Sequence, residues 1–249
     1  MIQLSPAPAR LPSGRRIYAI GDIHGCLRQL SVLHEMIEAD LRERPVPAAL
    51  LLHIGDYVDR GADSRGVIER LVHGSPVPGT TMLNLMGNHE ATMLDAIAGE
   101  RAAGTDWLFA GGKATLESYG IDPEGPRDVW KDRIPAAHQD FLRGLILMHR
   151  AGGYAFVHAG VRPNIALENQ AREDLLRARQ PFLYSEADFG AVIVHGHTPV
   201  KTAVVRHNRI AIDTGAVFGG QMTCAVLEAD TIGFLTAEPM DPPVSIAHR

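Results

Sequence analysis

Three times in its first hundred residues, the chain repeats one pattern: a short apolar segment, a polar loop with glycine, and an amphipathic helix. The apolar segments are Ile17–Ile20, Ala48–Ile54 and Thr80–Met86, and the loops after them read GDIHG, GDYVDRG and GNHE. Apolar residues then recur at three- and four-residue spacing, the period of a helix with one buried face. Strands that alternate with helices favour a parallel sheet, and ligands bind beyond the carboxyl ends of such strands. The predicted fold class is therefore α/β, with the polar loops gathered at one sheet edge.

The second half of the chain has a different pattern. Its segments GYAFVHAG, AVIVHGHTP, TAVVRHNRIAIDTG and QMTCAVLEADTIGFL are rich in apolar and β-branched residues and read as short strands. Within them, RHNR and EAD predict hairpin turns. We therefore expect a second, more antiparallel sheet. Between the two halves, residues 99–137 could form either a cap over the site or a peripheral pair of helices.

One domain is expected over residues 16–238, because no internal repeat or low-complexity linker divides the chain. Residues 1–15, rich in proline and alanine, are predicted to form a mobile N-terminal arm. Residues 239–249 carry three prolines and are predicted to form a tail that adds little to the core. The N-terminal residues do not resemble a signal peptide, and no apolar run is long enough to span a bilayer.

Composition narrows the classes of partner. The formal net charge of -5 gives no basic excess to meet a phosphate backbone. Two cysteines, Cys26 and Cys224, are too few for a disulfide framework and fit buried thiols in a reducing compartment. We therefore expect a cytoplasmic protein that binds neither nucleic acid nor membranes, and its oligomeric state is left open.

Two loops in the second half, VHAG and VHGHT, again place histidine beside glycine after an apolar segment. Across the five loops the polar side chains are carboxylates, imidazoles and one amide, a set that suits Mn, Fe or Zn better than Ca or an all-thiolate zinc site. The glycines let the backbone turn tightly and approach a ligand closely. One such loop is weak evidence, but five in order, each after a strand, indicate a single metal site.

The five motifs GDIHG, GDYVDRG, GNHE, HAG and GHT, in this order from Gly21 to Thr198, resemble the signature of the calcineurin-like metallophosphoesterases. GDYVDRG and GNHE are most similar to the phosphoprotein phosphatase branch, especially its small bacterial Ser/Thr protein phosphatases. The resemblance implies a four-layer α/β/β/α sandwich of two mixed β-sheets, with two divalent metal ions at the sheet edges. Manganese is expected first, with iron or zinc as alternatives.

The resemblance also implies two metal sites that share the carboxylate of Asp56. Asp22 and His24 would complete the first site. The second site would be completed by Asn88, His158 and His197. The neighbouring His195 is interpreted as a supporting residue rather than a ligand.

The same resemblance assigns the catalytic groups. His89 would be the general acid, and Asp59 would hold its other ring nitrogen. Arg60 would grip the substrate phosphate. The stretch RARQPFL resembles one that supplies a second phosphate-binding arginine, which maps to Arg179, with Arg177 as the rival.

Three functions are compatible with these residues. The first is hydrolysis of phosphomonoesters, phosphoprotein Ser/Thr or Tyr phosphate among them, by in-line attack of a hydroxide activated by two metals. The second is hydrolysis of a dinucleoside polyphosphate such as diadenosine tetraphosphate, because such enzymes share a GDxHGC opening that Cys26 completes here. Their second motif usually lacks the Asp-Arg pair of DRG. The third, a non-catalytic metal-binding scaffold, is disfavoured because His89 and all six implied ligands are present.

Overall fold

The computed structural model of the protein describes residues 2–240 and 243–244. Its strands are β1 (Ser5–Pro6), β2 (Arg15–Ile20), β3 (Ala48–His53), β4 (Thr80–Asn84), β5 (Met148–Ala151), β6 (Tyr154–Val157), β7 (Val192–His195), β8 (Val204–Val205), β9 (Arg209–Ala211), β10 (Met222–Glu228) and β11 (Thr231–Ala237). Its α-helices are α1 (Leu27–Glu43), α2 (Ser64–Val72), α3 (Asn88–Ile97), α4 (Arg101–Trp107), α5 (Lys113–Ser118), α6 (Trp130–Arg133), α7 (Ala136–Arg143) and α8 (Arg172–Arg177). No helix among these residues is both long and apolar enough to cross a membrane.

The strands form two mixed sheets, as predicted. One has the order β1-β11-β10-β2-β3-β4 and the other the order β5-β6-β7-β9-β8. Strands β2, β3 and β4 are parallel, with Ile20 paired to His53 and His53 paired to Asn84. Their carboxyl ends therefore lie level, and the three polar loops that follow them leave the sheet at the same edge.

The prediction that the second half builds one separate, more antiparallel sheet is wrong. β10 pairs antiparallel with β2, so the hairpin of β10 and β11 joins the first sheet. In the second sheet the inner pairs, β6 with β7 and β7 with β9, are parallel, and antiparallel pairing is confined to its edges. The physical reason is burial, because β10 is buried along almost its whole length and a strand covered on both faces takes an inner position in a sheet.

Three hydrophobic cores separate four layers. On β2, Ile20 packs in the core beneath the helices, whereas Ala19 faces the core between the two sheets. On β6, Phe156 faces the core between the sheets, and Val157 packs outward in a third core with Phe182. This alternation follows from the two-residue period of a strand. The predicted α/β/β/α sandwich is confirmed, and its outermost layer over the second sheet consists of α8 and short turns.

The N-terminal residues differ from the expected mobile arm. Ser5 pairs with Ile232 of β11, the hydroxyl of Tyr154 donates to the carbonyl of Ala9 at 2.7 Å, and Leu11 is buried in the core between the sheets. The arm covers the edge of β11 and fills space between the sheets. Of the predicted tail, residues 239–240 and 243–244 are described, and the remainder lies outside the described residues.

Residues 99–137 pack as helices against the rest of the domain, and part of the segment forms one wall of a cavity. Trp107 and Trp130 are fully buried and meet edge to face, with ring centroids 5.4 Å apart. Asp106, Phe109 and Ala110 line the cavity described below. The segment therefore combines features of both predicted alternatives, a peripheral helical layer and a wall of the site.

A buried chain of hydrogen bonds ties α2, α1, β3 and β4 together. Arg70 Nε donates to His34 Nδ1 at 2.9 Å, His34 Nε2 lies 3.1 Å from His53 Nε2, and His53 Nδ1 lies 2.8 Å from Asn84 Oδ1. Because arginine can only donate, His34 accepts at Nδ1, carries its proton on Nε2 and donates that N–H to His53 Nε2. Burial, followed by the charges of His53 and Arg70, lowers the pKa of His34 to about 2, and burial lowers the pKa of His53 to about 4. Both rings are neutral in the folded protein.

We expect these buried, neutral histidines to make the folded protein less stable at acid pH. Unfolded His34 takes up a proton near pH 6.5 and the folded ring does not, so stability falls as the pH drops from about 6.5 toward the folded pKa. The variant His34→Gln removes one such group. Its unfolding free energy should depend less steeply on pH between about 6.5 and 4, by up to about 1.4 kcal/mol per pH unit. Urea unfolding at stepped pH measures the slope.

The other histidines titrate in both the wild type and the variant, so their contributions to the pH dependence of the unfolding free energy cancel in this comparison. His73→Gln, at the exposed end of α2, is the control variant, since the His73 side chain is 77% exposed. An unchanged slope in His34→Gln, or the same change in both variants, would contradict the assignment.

Candidate metal centre

The polar loops of both sheets converge at one edge of the sandwich. Asp22 and His24 follow β2, Asp56 follows β3, His158 follows β6 and His197 follows β7. Asn88 and His89 lie in the first turn of α3 rather than in a loop, since Gly87 is the N-cap of that helix. All ten predicted site residues lie in this region, with Arg179 on the cavity wall. Both sheets therefore contribute to one site.

Asp56 lies at the centre of the site and is almost fully buried. Its Oδ2 is 3.4 Å from His24 Nε2, and its Oδ1 is 3.4 Å from His158 Nε2. Candidate ligand atoms of His24, Asp56 and His89 lie within 4.8 Å of one another, and so do those of Asp56, His158 and His197. Burial alone would raise the pKa of Asp56, but His158, His89 and His24 outweigh it and hold that pKa well below its usual range. The two oxygens of one charged carboxylate thus face two groups of ligands.

Backbone carbonyls orient two of the histidines toward this carboxylate. His24 Nδ1 lies 2.8 Å from the Val58 carbonyl, and His158 Nδ1 lies 3.0 Å from the Ile54 carbonyl. Because a carbonyl only accepts, each ring carries a proton on Nδ1, and the neutral form of each ring presents the Nε2 lone pair to the site. His158 Nε2 also lies 3.0 Å from Asn88 Oδ1. Such acceptors repel one another unless a cation lies among them, so this donor set fits a metal ion.

Asp22 lies at the margin of the tight ligand groups. Both of its oxygens accept from the backbone N–H of His197, at 3.1 and 3.2 Å. Burial and then the charges of Asp213 and Asp56 raise the pKa of Asp22 well above its usual range. The side chain of Asp213 accepts a hydrogen bond from the backbone N–H of Gly215 at 2.9 Å. A cation would relieve the repulsion between these buried carboxylates. The structure groups His24 and Asp56 with His89, where the sequence predicted Asp22 as their partner.

Two glycines keep space around the carboxylates. A Cβ on Gly87 would collide with Asp56 Oδ1, and a Cβ on Gly196 would collide with Asp22 Oδ1. These approaches are close because the loops bring the backbone against both carboxylates. Gly87 in GNHE and Gly196 in VHGHT therefore cannot gain a side chain without displacing a candidate ligand.

The backbone of the site is strained. Five of its non-glycine residues have positive φ, a conformation that costs about 1–3 kcal/mol each and persists where the surroundings enforce it. They are His24 (φ 44°), Asp56 (φ 51°), Asp59 (φ 73°), Arg60 (φ 70°) and His197 (φ 62°). This clustering of strain marks the site independently of the side chains.

His89 is held by a buried carboxylate. Its Nδ1 lies 2.6 Å from Asp59 Oδ2, and Asp59 Oδ1 accepts from Trp107 Nε1 at 2.8 Å and from the Thr115 hydroxyl at 2.7 Å. His89 therefore donates from Nδ1, and its Nε2 lies 4.0 Å from Asp56 Oδ2. Burial would lower the pKa of His89, but Asp56 and Asp59 together raise it above the usual value. No local pattern in the sequence points to Trp107 or Thr115, because they lie 48 and 56 residues from Asp59 along the chain.

Glu90 was also missed, although it belongs to GNHE. Its fully buried carboxylate accepts four backbone N–H groups, from Asp56 at 2.9 Å, Tyr57 at 2.7 Å, Val58 at 3.1 Å and Gly87 at 2.9 Å. It thereby joins the Asp56 loop to the start of α3. Its place beside Asn88 and His89 in one motif was the available signal.

The cavity above the carboxylates is rich in arginine. It has a volume of about 790 Å³, and Arg60, Arg172, Arg177 and Arg179 all line it. Arg60 Nη1 donates to His24 Nε2 at 2.7 Å. Arg162 pairs with Asp174 at 3.1 Å and is not among the residues that line the cavity.

The two rival arginines differ in their partners. Arg179 Nε lies 3.4 Å from His197 Nε2. Arg177 is engaged elsewhere, with its Nε 2.9 Å from Glu173 and its Nη2 3.0 Å from the Thr92 hydroxyl. Arg179 therefore contacts a candidate ligand, whereas Arg177 is paired with Glu173.

Comparison with known proteins identifies the family of this chain. The family model described as calcineurin-like phosphoesterase matches residues 15–228. The chain is 28% identical over 230 residues to serine/threonine-protein phosphatase 1 of Salmonella typhimurium, covering 86% of this chain and 93% of that protein. It is 29% identical over 226 residues to the asymmetrical bis(5'-nucleosyl)-tetraphosphatase PrpE of Anoxybacillus flavithermus, covering 82% of this chain and 87% of that protein.

Two solved structures share the fold. One is described as a putative diadenosine tetraphosphatase, with a TM-score of 0.63, 20% identity and coverage of 92% of this chain and 98% of that chain. The other is the cold-active protein-tyrosine phosphatase of a psychrophile, Shewanella sp., with a TM-score of 0.58, 16% identity and coverage of 92% and 83%. The family match spans most of the chain, and the chain therefore belongs to the calcineurin-like phosphoesterase family and is a hydrolase of the metallophosphoesterase type.

Proposed function

We propose that this metallophosphoesterase hydrolyses phosphomonoesters, with phosphoprotein serine, threonine or tyrosine phosphate as the substrate class. The observation that carries the proposal is the position of Asp56, whose two oxygens face different histidines 3.4 Å away. A shared carboxylate of this kind suits two divalent cations, with manganese expected first.

The proposed ligands follow the predicted sets. Asp22, His24 and Asp56 hold one cation, and Asp56, Asn88, His158 and His197 hold the other. The orientation of His24 and His158 by backbone carbonyls supports this assignment. Two bound cations supply Lewis acidity and lower the pKa of the attacking water.

The proposed catalytic groups act around this centre. The bond from His89 Nδ1 to Asp59 leaves His89 Nε2 to carry the proton that the leaving oxygen receives. Arg60 and Arg179 hold the non-bridging oxygens of the phosphate, since guanidinium matches phosphate in a bidentate geometry. Both side chains line the cavity beside His197.

A specific observation favours a second candidate, the hydrolysis of dinucleoside polyphosphates. Four arginines line the cavity, and although Arg177 is paired with Glu173, these are more guanidinium groups than one phosphate requires. A chain of phosphates would contact more of them. The relatives named above include both phosphatases and tetraphosphatases, so the substrate is the property that an assay must decide.

The proposed function predicts metal-dependent turnover that requires Asp56. Protein stripped of metal and reloaded with Mn, Fe, Zn, Mg or Co is tested on phosphoserine and phosphotyrosine peptides and on diadenosine tetraphosphate. Asp56→Asn should lose both metals and more than about 100-fold in kcat/KM, since even outer partners of metal ligands typically contribute 10–100-fold. Metal analysis accompanies each assay.

Asp140→Asn removes a carboxylate that is 75% exposed and serves as the matched control. It should bind two metals and turn over normally. Two retained metals and near-normal turnover in Asp56→Asn would show that the carboxylate is not shared.

The acid role of His89 predicts a leaving-group effect. His89→Ala should keep both metals and lose about 10²–10⁴-fold with phosphoserine peptide, whose alkoxide leaving group is basic. The loss should be much smaller with p-nitrophenyl phosphate, whose leaving group is stable without a proton. Asp59→Asn should show the same trend, because Asp59 fixes the His89 ring. Equal losses on both substrates would leave His89 as a positioning group.

Alanine variants of the two rival arginines should differ in their effect on kcat/KM. Arg179→Ala should lower kcat/KM about tenfold or more through loss of a charged contact to phosphate, and Lys should restore it only in part. Arg177→Ala should have a smaller effect, because Arg177 is paired with Glu173. Steady-state kinetics on one peptide decides between them. A silent Arg179→Ala beside a strongly impaired Arg177→Ala would move the phosphate contact to Arg177.

A further inference from the structure

An exposed aromatic ring stands on the wall of the catalytic cavity. Phe109 lines this cavity together with Arg60 and His89, yet it is 81% exposed. A lone exposed apolar side chain is ordinary on a protein surface. The position of Phe109 at the site and the way its segment is fixed distinguish it from such side chains.

The segment that carries Phe109 is fastened to the loop that holds the catalytic groups. Trp107 Nε1 donates to Asp59 Oδ1 at 2.8 Å, and the backbone N–H of Arg60 donates to the Gly111 carbonyl at 3.1 Å. Thr115 donates to the same carboxylate at 2.7 Å. Phe109 lies between the first two attachments. Its backbone is therefore fixed relative to the groups proposed to bind phosphate and donate the proton.

The local backbone turns the ring outward. Within Leu108–Gly112 the helix is broken by a kink at Gly111, whose backbone is not helical. Gly111 has φ 119°, and a Cβ there would approach the backbone nitrogen of Arg60 to 2.9 Å. Trp107 points into the core and is fully buried, whereas Phe109, two residues on, is directed to solvent. The segment thus presents an aromatic face at the site at the expense of regular helix.

We propose that Phe109 is a specificity residue that stacks on a flat aromatic group carried by the substrate, next to the phosphate that is cleaved. The proposal rests on the proposed phosphoesterase function and names the chemistry of the group attached to the phosphate. A tyrosine ring and a nucleobase share this chemistry. The arginines of the cavity hold the phosphate, and the ring of Phe109 contacts the aromatic group beyond it.

The test uses pairs of substrates that differ in the aromatic group. One pair is a phosphotyrosine and a phosphoserine peptide of the same sequence, and the other is diadenosine tetraphosphate and inorganic tetraphosphate. Phe109→Ala should lower kcat/KM about fivefold to a hundredfold for the aromatic member, as base–aromatic stacking typically does, and less than about twofold for its partner. Phe109→Leu should behave like Ala, and Phe109→Trp should retain the wild-type preference.

The pair that shows the selective loss identifies the source of the ring, phosphotyrosine or nucleotide. Tyr184→Ala is the matched control, since Tyr184 is a 72% exposed aromatic that does not line the cavity. Equal losses on both members of each pair, or no loss on any substrate, would overturn the proposal.

A binding measurement separates this proposal from the proposed function. Calorimetry measures the affinities of phenylphosphonate and methylphosphonate. Neither compound contains a phosphate ester bond, so the protein cannot hydrolyse them. Wild-type protein should bind the phenyl compound more tightly, and Phe109→Ala should abolish the difference. If wild-type protein hydrolyses no phosphoester, the proposed function fails, and the phosphonate comparison still decides the role of Phe109. The same preference in wild type and Phe109→Ala would overturn that role.

Discussion

The structure depends on keeping the carboxylate of Asp56 charged while almost completely excluding it from water. Burial of a charge is costly unless partners compensate it, and here three histidines surround it, whose positive charge when protonated holds the pKa of Asp56 low. Those histidines come from the loop after β2, from α3 and from the loop after β6 in the second sheet. One carboxylate therefore sets the position of loops from both halves of the sandwich, and the chemistry proposed for the protein starts from that position.

The strained backbone around Asp56 is held in place by a second buried carboxylate. Glu90 accepts four backbone N–H groups, three of them from Asp56 to Val58. Asp56 has φ 51°, and hydrogen bonds of this kind are what allow such a conformation to persist. The GNHE motif thus has two roles. Asn88 and His89 face the site, and Glu90 holds the backbone of the Asp56 loop.

The segment after α3 links the catalytic groups to the substrate side of the cavity. Asp59 orients His89 on one side and binds Trp107 and Thr115 on the other. A change in this segment therefore reaches the proposed proton donor and the exposed ring of Phe109 together. The proposed proton donor and the proposed specificity residue are therefore held by one hydrogen-bonded unit.

The sequence by itself determined the three parallel strands, the polar loops at their ends and the candidate ligands, because strand and helix periods and the motifs are local in the chain. It could not place β10 and β11 in the first sheet or dock residues 2–15, since strand pairing depends on which surfaces are left to be covered. Nor could it find Trp107, Thr115 or the role of Glu90, whose partners are distant in the chain or are backbone groups. The tertiary structure alone decided that Asp22 lies at the margin of the ligand group and that Phe109 stands exposed at the cavity, because both depend on how separate loops pack together.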